Sequence, residues 1–509
     1  MAREERLWRR LLRGDGAALG VCALFVAILL PVLPALHPNF DEGVYIQQAL
    51  LVRDGLLPYR DFFCHQTPLY LFTLAAVGWP APDSLLIYRL PSLLAIAAFG
   101  FVVYWIALEH ASKPVALGAC ALALAAAVEF HGLLALPNAP MAALAAAGVW
   151  LAWFRGGPRA AVAGGVLLAI SVLFKPLSVT AVAAVCLAML FDREHRRDLP
   201  RVVLAGALTG VLAGAFFEWL SAGAFHELLA LQLSRYSAKG GFEVMQALPT
   251  FRAMTQELGI GSALAWNLDV HARALWHPGA RSMGLLALVA AAGWLSLVVA
   301  GGARMRGTAG LIGLWWAVSA AACVWLWEPI WDHYLIQYAA PMAVGAAFLL
   351  ERVAARAWGR PLAVVFVAGI LLAAAAHVTM RRTLAPIPTY ASLAREQWLT
   401  FDPLVNFRYG TRPACGLIDP FNVYGSANLV ALTLGESPAT SRFLVSTDAL
   451  IACLEWDPRI RIGIGYWGTF FVDDALKAYL ERQPAERFLP GSLFAPGPDT
   501  PARRPAPGS

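Results

Sequence analysis

Apolar residues along this chain come in runs about as long as a bilayer is thick, with polar residues gathered between them. The runs fall at roughly 17–36, 86–108, 114–130, 136–154, 160–190, 201–221, 283–302, 309–327, 334–350 and 361–379, each set against the ~20 residues a membrane-spanning helix needs. The fifth, "AAVAGGVLLAISVLFKPLSVTAVAAVCLAML", is interrupted by Lys175-Pro176. Read as one helix, it would place the basic loop "DREHRRDLPR" outside. Read as a hairpin of two short helices turning near Phe174-Lys175-Pro176, it keeps that loop inside, with proline as the break. The pattern predicts an all-α polytopic membrane protein of about 11 transmembrane helices.

Charge orders this path. Five arginines precede residue 14, and the loops holding Lys113, Arg155 with Arg159, Arg193 to Arg201, Arg304 with Arg306, and Arg352 to Arg360 all fall inside. The opposite loops "EFHGLLALPN" and "WEPIWDH" carry no Lys or Arg, as the positive-inside rule requires. Arg381 and Arg382, after the last run, are the one local contradiction. The basic N-terminus is like a signal-peptide n-region, but the run after it is long and lacks a cleavage site, so it is expected to stay as the first helix.

The predicted membrane domain is 1–382, with a first outer loop at 37–85 and a long outer loop at 222–282. In residues 383–490 Pro, Asp and Gly rise and strand-like pieces appear ("RFLVST", "RIRIGIG"), which predicts a small extracytoplasmic α/β domain. Residues 491–509 are low-complexity and expected to be disordered. The expected setting is the cell (inner) membrane, with the N-terminus cytoplasmic and the tail outside.

Composition sharpens the class. Of 509 residues, 59% are hydrophobic and only 14% charged, with a mean hydropathy of +0.60, against about 45–50% and 25% in globular proteins. The net charge of +6 sits in short arginine clusters between apolar runs, so it marks anchors and no nucleic-acid partner. Seven cysteines without a CxxC pair indicate neither a zinc site nor a thioredoxin motif. Cys415 and Cys453 share the oxidising side and could pair, although spacing does not decide it.

Candidate chemistry gathers in the outer loops. Asp41 and Glu42 end the first helix, where carboxylates near lipid are read as functional by default. "EGVYIQQALLVRDG" suits an interfacial helix ending at Gly55, with Val44, Tyr45 and Leu51 available to lipid. Asp41 could equally be that helix's N-cap. Arg53 and Arg60 could simply snorkel to headgroups, and His65 and His333 could be ordinary loop histidines. Arg235 and Lys239 read most simply as a solvated loop face, and Glu129 and Glu218 as helix ends facing water. Lys175, deep in apolar sequence, calls for an anionic partner.

The first loop, "DEGVY…LPYRDFFCHQTPLY", resembles that of the GT-C glycosyltransferases. It is most similar to the protein O-mannosyltransferase branch, with the lipid A aminoarabinose transferases and lipopolysaccharide-core galacturonosyltransferases. The acidic pair is Asp41-Glu42, and the "PYRDFF-x-H-K-x-P-L-Y" segment runs from Pro58 to Tyr70, with Gln66 where the family has lysine. "WDHYLIQY", with His333 and Tyr334, and the lysine-bearing turn "LFKPL" resemble later family segments. The resemblance implies an inverting transferase moving a sugar from a polyprenyl-phosphate carrier to an extracytoplasmic glycan, lipid or protein. Asp41, with Glu42, is the expected acid–base center. Arg60, His65, Lys175, Arg235, His333 and Tyr334 are the expected contacts to donor and phosphate. No dedicated metal site is implied, yet adjacent carboxylates could take Mg²⁺ or Mn²⁺ with phosphate oxygens. A lipid-linked sugar flippase or other transporter, and an inactive scaffold of the same fold, are the rivals. A transporter should show paired broken helices with ionisable groups at mid-membrane.

Overall fold

The computed structural model describes residues 15–37, 39–62, 64, 67–226, 242, 246, 249–276, 281–300, 303–326, 330–356 and 358–381. Toward the C-terminus it describes 397–400, 412–413, 415, 446–464, 472 and 474–488. The expected disordered tail, His65, Gln66, Arg235 and Lys239 lie outside these residues.

Every predicted apolar run holds at least one helix among the described residues. The elements are α1 (Gly16–Leu29), α2 (Phe40–Arg53), α3 (Leu69–Gly78), α4 (Leu85–Leu108), α5 (Lys113–Glu129), α6 (Asn138–Val149), α7 (Pro158–Phe174), α8 (Val179–Phe191) and α9 (Leu199–Leu220). They continue with α10 (Pro249–Glu257), α11 (Ala263–Trp276), α12 (Arg281–Ala300), α13 (Ala303–Ala321), α14 (Ala339–Ala354) and α15 (Gly359–Met380). Prolines at the first or second position open α5, α7 and α9, where a missing N–H costs nothing. Among the described residues six helices are long and apolar enough to cross a membrane, and further apolar helices are shorter.

The fifth run is a hairpin. Lys175 is extended between α7 and a 3₁₀ turn at Pro176–Ser178 that leads into α8. The far ends of the two helices meet again: Gly157 N–H donates to Asp198 Oδ2 at 3.2 Å, and His195 Nε2 lies 3.0 Å from the Trp153 carbonyl. A single straight helix could not bring residues 157 and 198 together, since 34 residues at ~1.5 Å each span about 50 Å. The following α9 packs along α7 so closely that a Cβ on Gly165 would sit 2.3 Å from the Val202 carbonyl. Small residues allow this approach where helix contact relies on close packing rather than on water exclusion.

The bundle is layered by burial. Of the residues in the most apolar stretch of Asp332–Ala354 94% are buried, against 11% in that of α9 and 17% in that of α15. Apolar helices with so little protein around them are the ones left to face lipid. The loop helices α2 and α3 pack on each other, with Tyr45 and Tyr70 edge to face at 5.4 Å. Here one expectation fails. Val44 and Tyr45 are each only 4% exposed and Leu51 is half-buried, so α2 lies under protein instead of offering these side chains to lipid. Gly55, at φ +89°, ends that helix's turn as expected.

In the C-terminal region three short strands, β1 (Gln397–Thr400), β2 (Arg412–Pro413) and β3 (Arg461–Gly463), form a parallel sheet in the order β2-β1-β3. With α16 (Thr447–Trp456) and α17 (Asp474–Leu480) this is an α/β unit. β3 comes from "RIRIGIG", whereas the end of "RFLVST" starts a helix: Ser446 caps α16 by accepting from Ala449 N–H at 3.0 Å. Cys415 and Cys453 form a disulfide.

Candidate active site at the loop end of the bundle

Alternation of the helices brings the first loop, the 130–137 connection, the Lys175 turn, the segment before α14 and the end of α15 to one end of the bundle. Hydrogen bonds tie them together. Thr67 Oγ1 donates to the Phe174 carbonyl at 3.1 Å, Asn138 Nδ2 to the His333 carbonyl at 2.6 Å, and His37 N–H to the Arg381 carbonyl at 2.8 Å.

The acidic pair is split by the helix that carries it. Asn39 is the N-cap of α2, accepting from Asp41 N–H at 2.8 Å, so capping is not the work of Asp41. The Asp41 side chain is 39% exposed, and its Oδ2 lies 3.6 Å from His333 Nε2. Glu42, one residue on, points the other way and is fully buried. Its oxygens accept from Arg89 Nε at 2.6 Å, Arg89 Nη2 at 2.5 Å and Ala135 N–H at 2.7 Å. Arg89 Nη1 also reaches the Leu33 and Leu36 carbonyls. Glu42 thus joins the end of the first helix, α4 and the 130–137 connection. With both oxygens held by these donors and the side chain fully buried, it is poorly placed to meet a reacting proton or a metal. The expectation of a second acid–base carboxylate beside Asp41 is replaced by a buried clamp. Among the described residues no group of three or more His, Cys, Asp or Glu could hold a metal ion.

Lys175 is 3% exposed. Its Nζ donates to Asn138 Oδ1 at 2.9 Å and stands 4.4 Å above the Tyr334 ring. An ammonium has three donors; one bonds an amide and the ring face holds the charge, and among the described residues no carboxylate reaches it at contact distance. Tyr334 is therefore a platform for the cation, and its ring also meets His333 edge to face at 4.8 Å. Arg60 is different. It lies at the surface and is forked onto Asp61 at 2.9 and 2.7 Å, apart from the cluster around Asp41.

Several members of this cluster were not anticipated. His333 Nδ1 lies 3.7 Å from Asp332 Oδ1, Asp332 Oδ2 lies 2.8 Å from His131 Nε2, and the Arg381 guanidinium lies 2.7 and 2.8 Å from the two His131 nitrogens. His131 has φ +60°, a strained conformation that often accompanies function. Glu129, expected to face water, is buried with Oε2 3.1 Å from His377 Nδ1. Arg381 is the residue that broke the positive-inside pattern, and its place in this cluster explains why a cation stands there. Glu42, Arg89, Glu129, Lys175 and His333 thus gather at one end of the bundle, while the buried Asp15 sits at the start of the first helix, bonded to Tyr104 and Trp105.

No protein-family model matches this sequence, and no curated protein sequence matches it either. Solved structures do. ArnT from Cupriavidus metallidurans bound to undecaprenyl phosphate aligns with a TM-score of 0.56 at 13% identity, over 89% of this chain and 94% of that one. The oligosaccharyltransferase AglB from Archaeoglobus fulgidus, in complex with an inhibitory peptide and a dolichol-phosphate, aligns at 0.52 and 13% identity, over 93% of this chain and 73% of that one. Both are GT-C glycosyltransferases. Helix order, the buried loop helices and these alignments lead to one conclusion: this chain has the GT-C membrane fold.

Proposed function

We propose that this protein is an inverting membrane glycosyltransferase that takes a sugar from a polyprenyl-phosphate carrier and passes it to a glycan, lipid or protein on the extracytoplasmic side. The observation that carries the reading is that the part-exposed Asp41 carboxylate and the buried Lys175 ammonium stand against the adjacent residues His333 and Tyr334, at 3.6 Å from His333 Nε2 and 4.4 Å from the Tyr334 ring, at one end of an apolar bundle. A carrier with a polyprenyl tail cannot leave the bilayer, so its phosphate must be met at a bundle end. In the reaction the acceptor hydroxyl attacks the anomeric carbon and the carbon–oxygen bond to phosphate breaks. Asp41 takes the hydroxyl proton as general base. Lys175, held by Asn138 and Tyr334, meets the charge developing on the phosphate. His333 stands beside Asp41 in the same cluster, while His65 and Arg235 remain candidate phosphate contacts from the loops. Arg60 would first have to release Asp61. The solved relatives in fold hold lipid phosphates, which supports a lipid-linked donor here.

The test in cells is mass spectrometry of envelope glycans, glycolipids and glycoproteins with and without this protein. A missing hexose or pentose, restored by the wild-type gene and not by Asp41→Asn, is expected. An unchanged glycan inventory, or full restoration by Asp41→Asn, would refute the reading.

A further inference from the structure

The cluster holds one arrangement that sugar transfer from a lipid phosphate does not by itself require: an imidazole enclosed between two carboxylates. His333 is 3% exposed. Among the described residues its Nε2 has no hydrogen-bond partner, yet it is buried and faces Asp41 Oδ2 at 3.6 Å. Its Nδ1 faces Asp332 Oδ1 at 3.7 Å. The two carboxylates are open to solvent in part, with side chains 39% and 46% exposed. A buried polar nitrogen left without a partner needs an explanation, and here it points at the residue proposed as base.

We propose that His333 carries the acceptor's proton away from Asp41 and delivers it through Asp332 to water. This rests on the proposed glycosyl transfer, and it gives His333 a role other than phosphate contact. The balance of the reaction requires such an exit. The acceptor O–H bond breaks as its oxygen bonds the anomeric carbon, and the electron pair of the broken carbon–phosphate-oxygen bond leaves with the lipid phosphate. The product is a phosphomonoester, whose second ionisation lies near pH ~6. At neutral pH most of it does not keep the proton, which must go to water. Asp41 cannot release it directly during turnover, because donor and acceptor must both lie against it. Asp332, on the far side of the ring, stays open.

The path is Asp41 Oδ2 to His333 Nε2, then His333 Nδ1–H to Asp332 and on to water. The ring starts as the Nδ1–H tautomer with its Nε2 lone pair toward Asp41. When products leave, Asp41 and Asp332 both exchange with water and the starting tautomer returns.

The charges that face His333 fit this path. Asp41 approaches from α2 and Asp332 from the ring's own segment, and both favour a transient imidazolium. Lys175, from the α7–α8 turn, opposes one. His131 lies 6.3 Å away, ring to ring, on the 130–137 connection. Together with Arg381 from the end of α15 it stands beside Asp332, whose Oδ2 lies 2.8 Å from His131 Nε2. Tyr334 contacts the ring edge and Asn138 fixes the His333 carbonyl, so the imidazole has little freedom to turn away.

Two readouts on the full-length protein test this. The first needs no turnover: ¹⁵N-histidine NMR in nanodiscs, with the His333 signal identified by its loss in His333→Gln. The midpoint of its titration should fall in Asp41→Asn and again in Asp332→Asn, since each removes an anion that favours the imidazolium. The second is the pH–rate profile of transfer. Asp332→Asn should lower transfer on the order of a hundredfold, the small end of what general acid–base groups contribute, without weakening binding of a short-chain polyprenyl phosphate. A His333 midpoint indifferent to either carboxylate, or an Asp332→Asn variant with wild-type turnover, would overturn the relay. A variant that loses lipid-phosphate binding in proportion to turnover would overturn it too, returning His333 to phosphate contact. A wild-type protein that turns over no lipid-linked sugar would remove the transfer reading itself, and the relay with it.

Discussion

Replacing Arg89 by methionine isolates the clamp beneath the candidate site. In the folded protein Arg89 and Glu42 are both fully buried and joined by two charge-assisted hydrogen bonds at 2.6 and 2.5 Å. Methionine fills much of the same volume but leaves Glu42 as a buried anion with only the Ala135 N–H for compensation. It also removes the donor to the Leu33 and Leu36 carbonyls. Breaking a buried pair by removing one partner costs ~3–5 kcal/mol, a large part of the ~5–15 kcal/mol that holds a typical domain folded. The folded-to-unfolded ratio should therefore fall by about two to nearly four powers of ten. The assay is unfolding of purified protein in mild detergent, comparing wild type, Arg89→Met, Glu42→Gln and the double variant. Glutamine keeps an acceptor for Ala135 N–H while removing the stranded charge, so the double variant should be more stable than Arg89→Met alone. That sign is the diagnostic one, because two independent losses would add. If Arg89→Met unfolds like wild type, or the double variant is less stable than the single one by the full cost of Glu42→Gln, the clamp is not what holds these segments together.

Further expectations concern neighbouring groups. Lys175→Met removes the cost of a buried cation and loses one hydrogen bond to Asn138, a net worth of ~0.5–1.5 kcal/mol, so stability should change little while binding of a polyprenyl phosphate weakens; unchanged lipid-phosphate binding would assign the phosphate elsewhere. Asp41→Asn should leave unfolding within ~1 kcal/mol of wild type, because Asn39 is the cap and only a first-turn charge is lost; a large destabilisation would mean that Asp41 is structural. Cysteine labelling followed by peptide mass spectrometry should find Cys415 and Cys453 blocked until reductant is added. Removing a link of sequence separation 38 should cost about 4 kcal/mol in the chain-entropy picture, read as loss of protease resistance in the C-terminal region; free thiols at both positions would contradict the pairing.

The helices were legible because a membrane span is a local property, visible as a run of apolar residues. The hairpin was legible too, since Lys175-Pro176 interrupts a run too long for one crossing and charge decided between its readings. The partners of the site residues were not, because they are distant in sequence. Glu42 finds Arg89, Lys175 finds Asn138, His131 finds Arg381 and Asp41 finds His333, the last two across more than half the membrane domain. Two signals were nevertheless present. Arg89 is a charge just inside an apolar run, which calls for a buried partner, and Arg381 departs from the charge pattern of the short loops. The burial of α2 could not be read because its apolar face looks the same whether lipid or protein covers it. Neighbouring carboxylates likewise look equivalent in sequence, and only the direction of each side chain from α2 separates the half-exposed Asp41 from the sealed Glu42.

The central claim is that Asp41 acts as base in sugar transfer from a lipid phosphate, and reconstitution tests it most directly. Purified wild type and Asp41→Asn in proteoliposomes would each receive a panel of polyprenyl-phosphate-linked hexoses and pentoses with envelope extract as acceptor, and released polyprenyl phosphate would be quantified with the labelled product. Wild type should consume one donor and release carrier and product together, and Asp41→Asn should do so ~10²–10⁴-fold more slowly while remaining folded. Transfer by Asp41→Asn at the wild-type rate, or no donor consumed by wild type, would contradict the account.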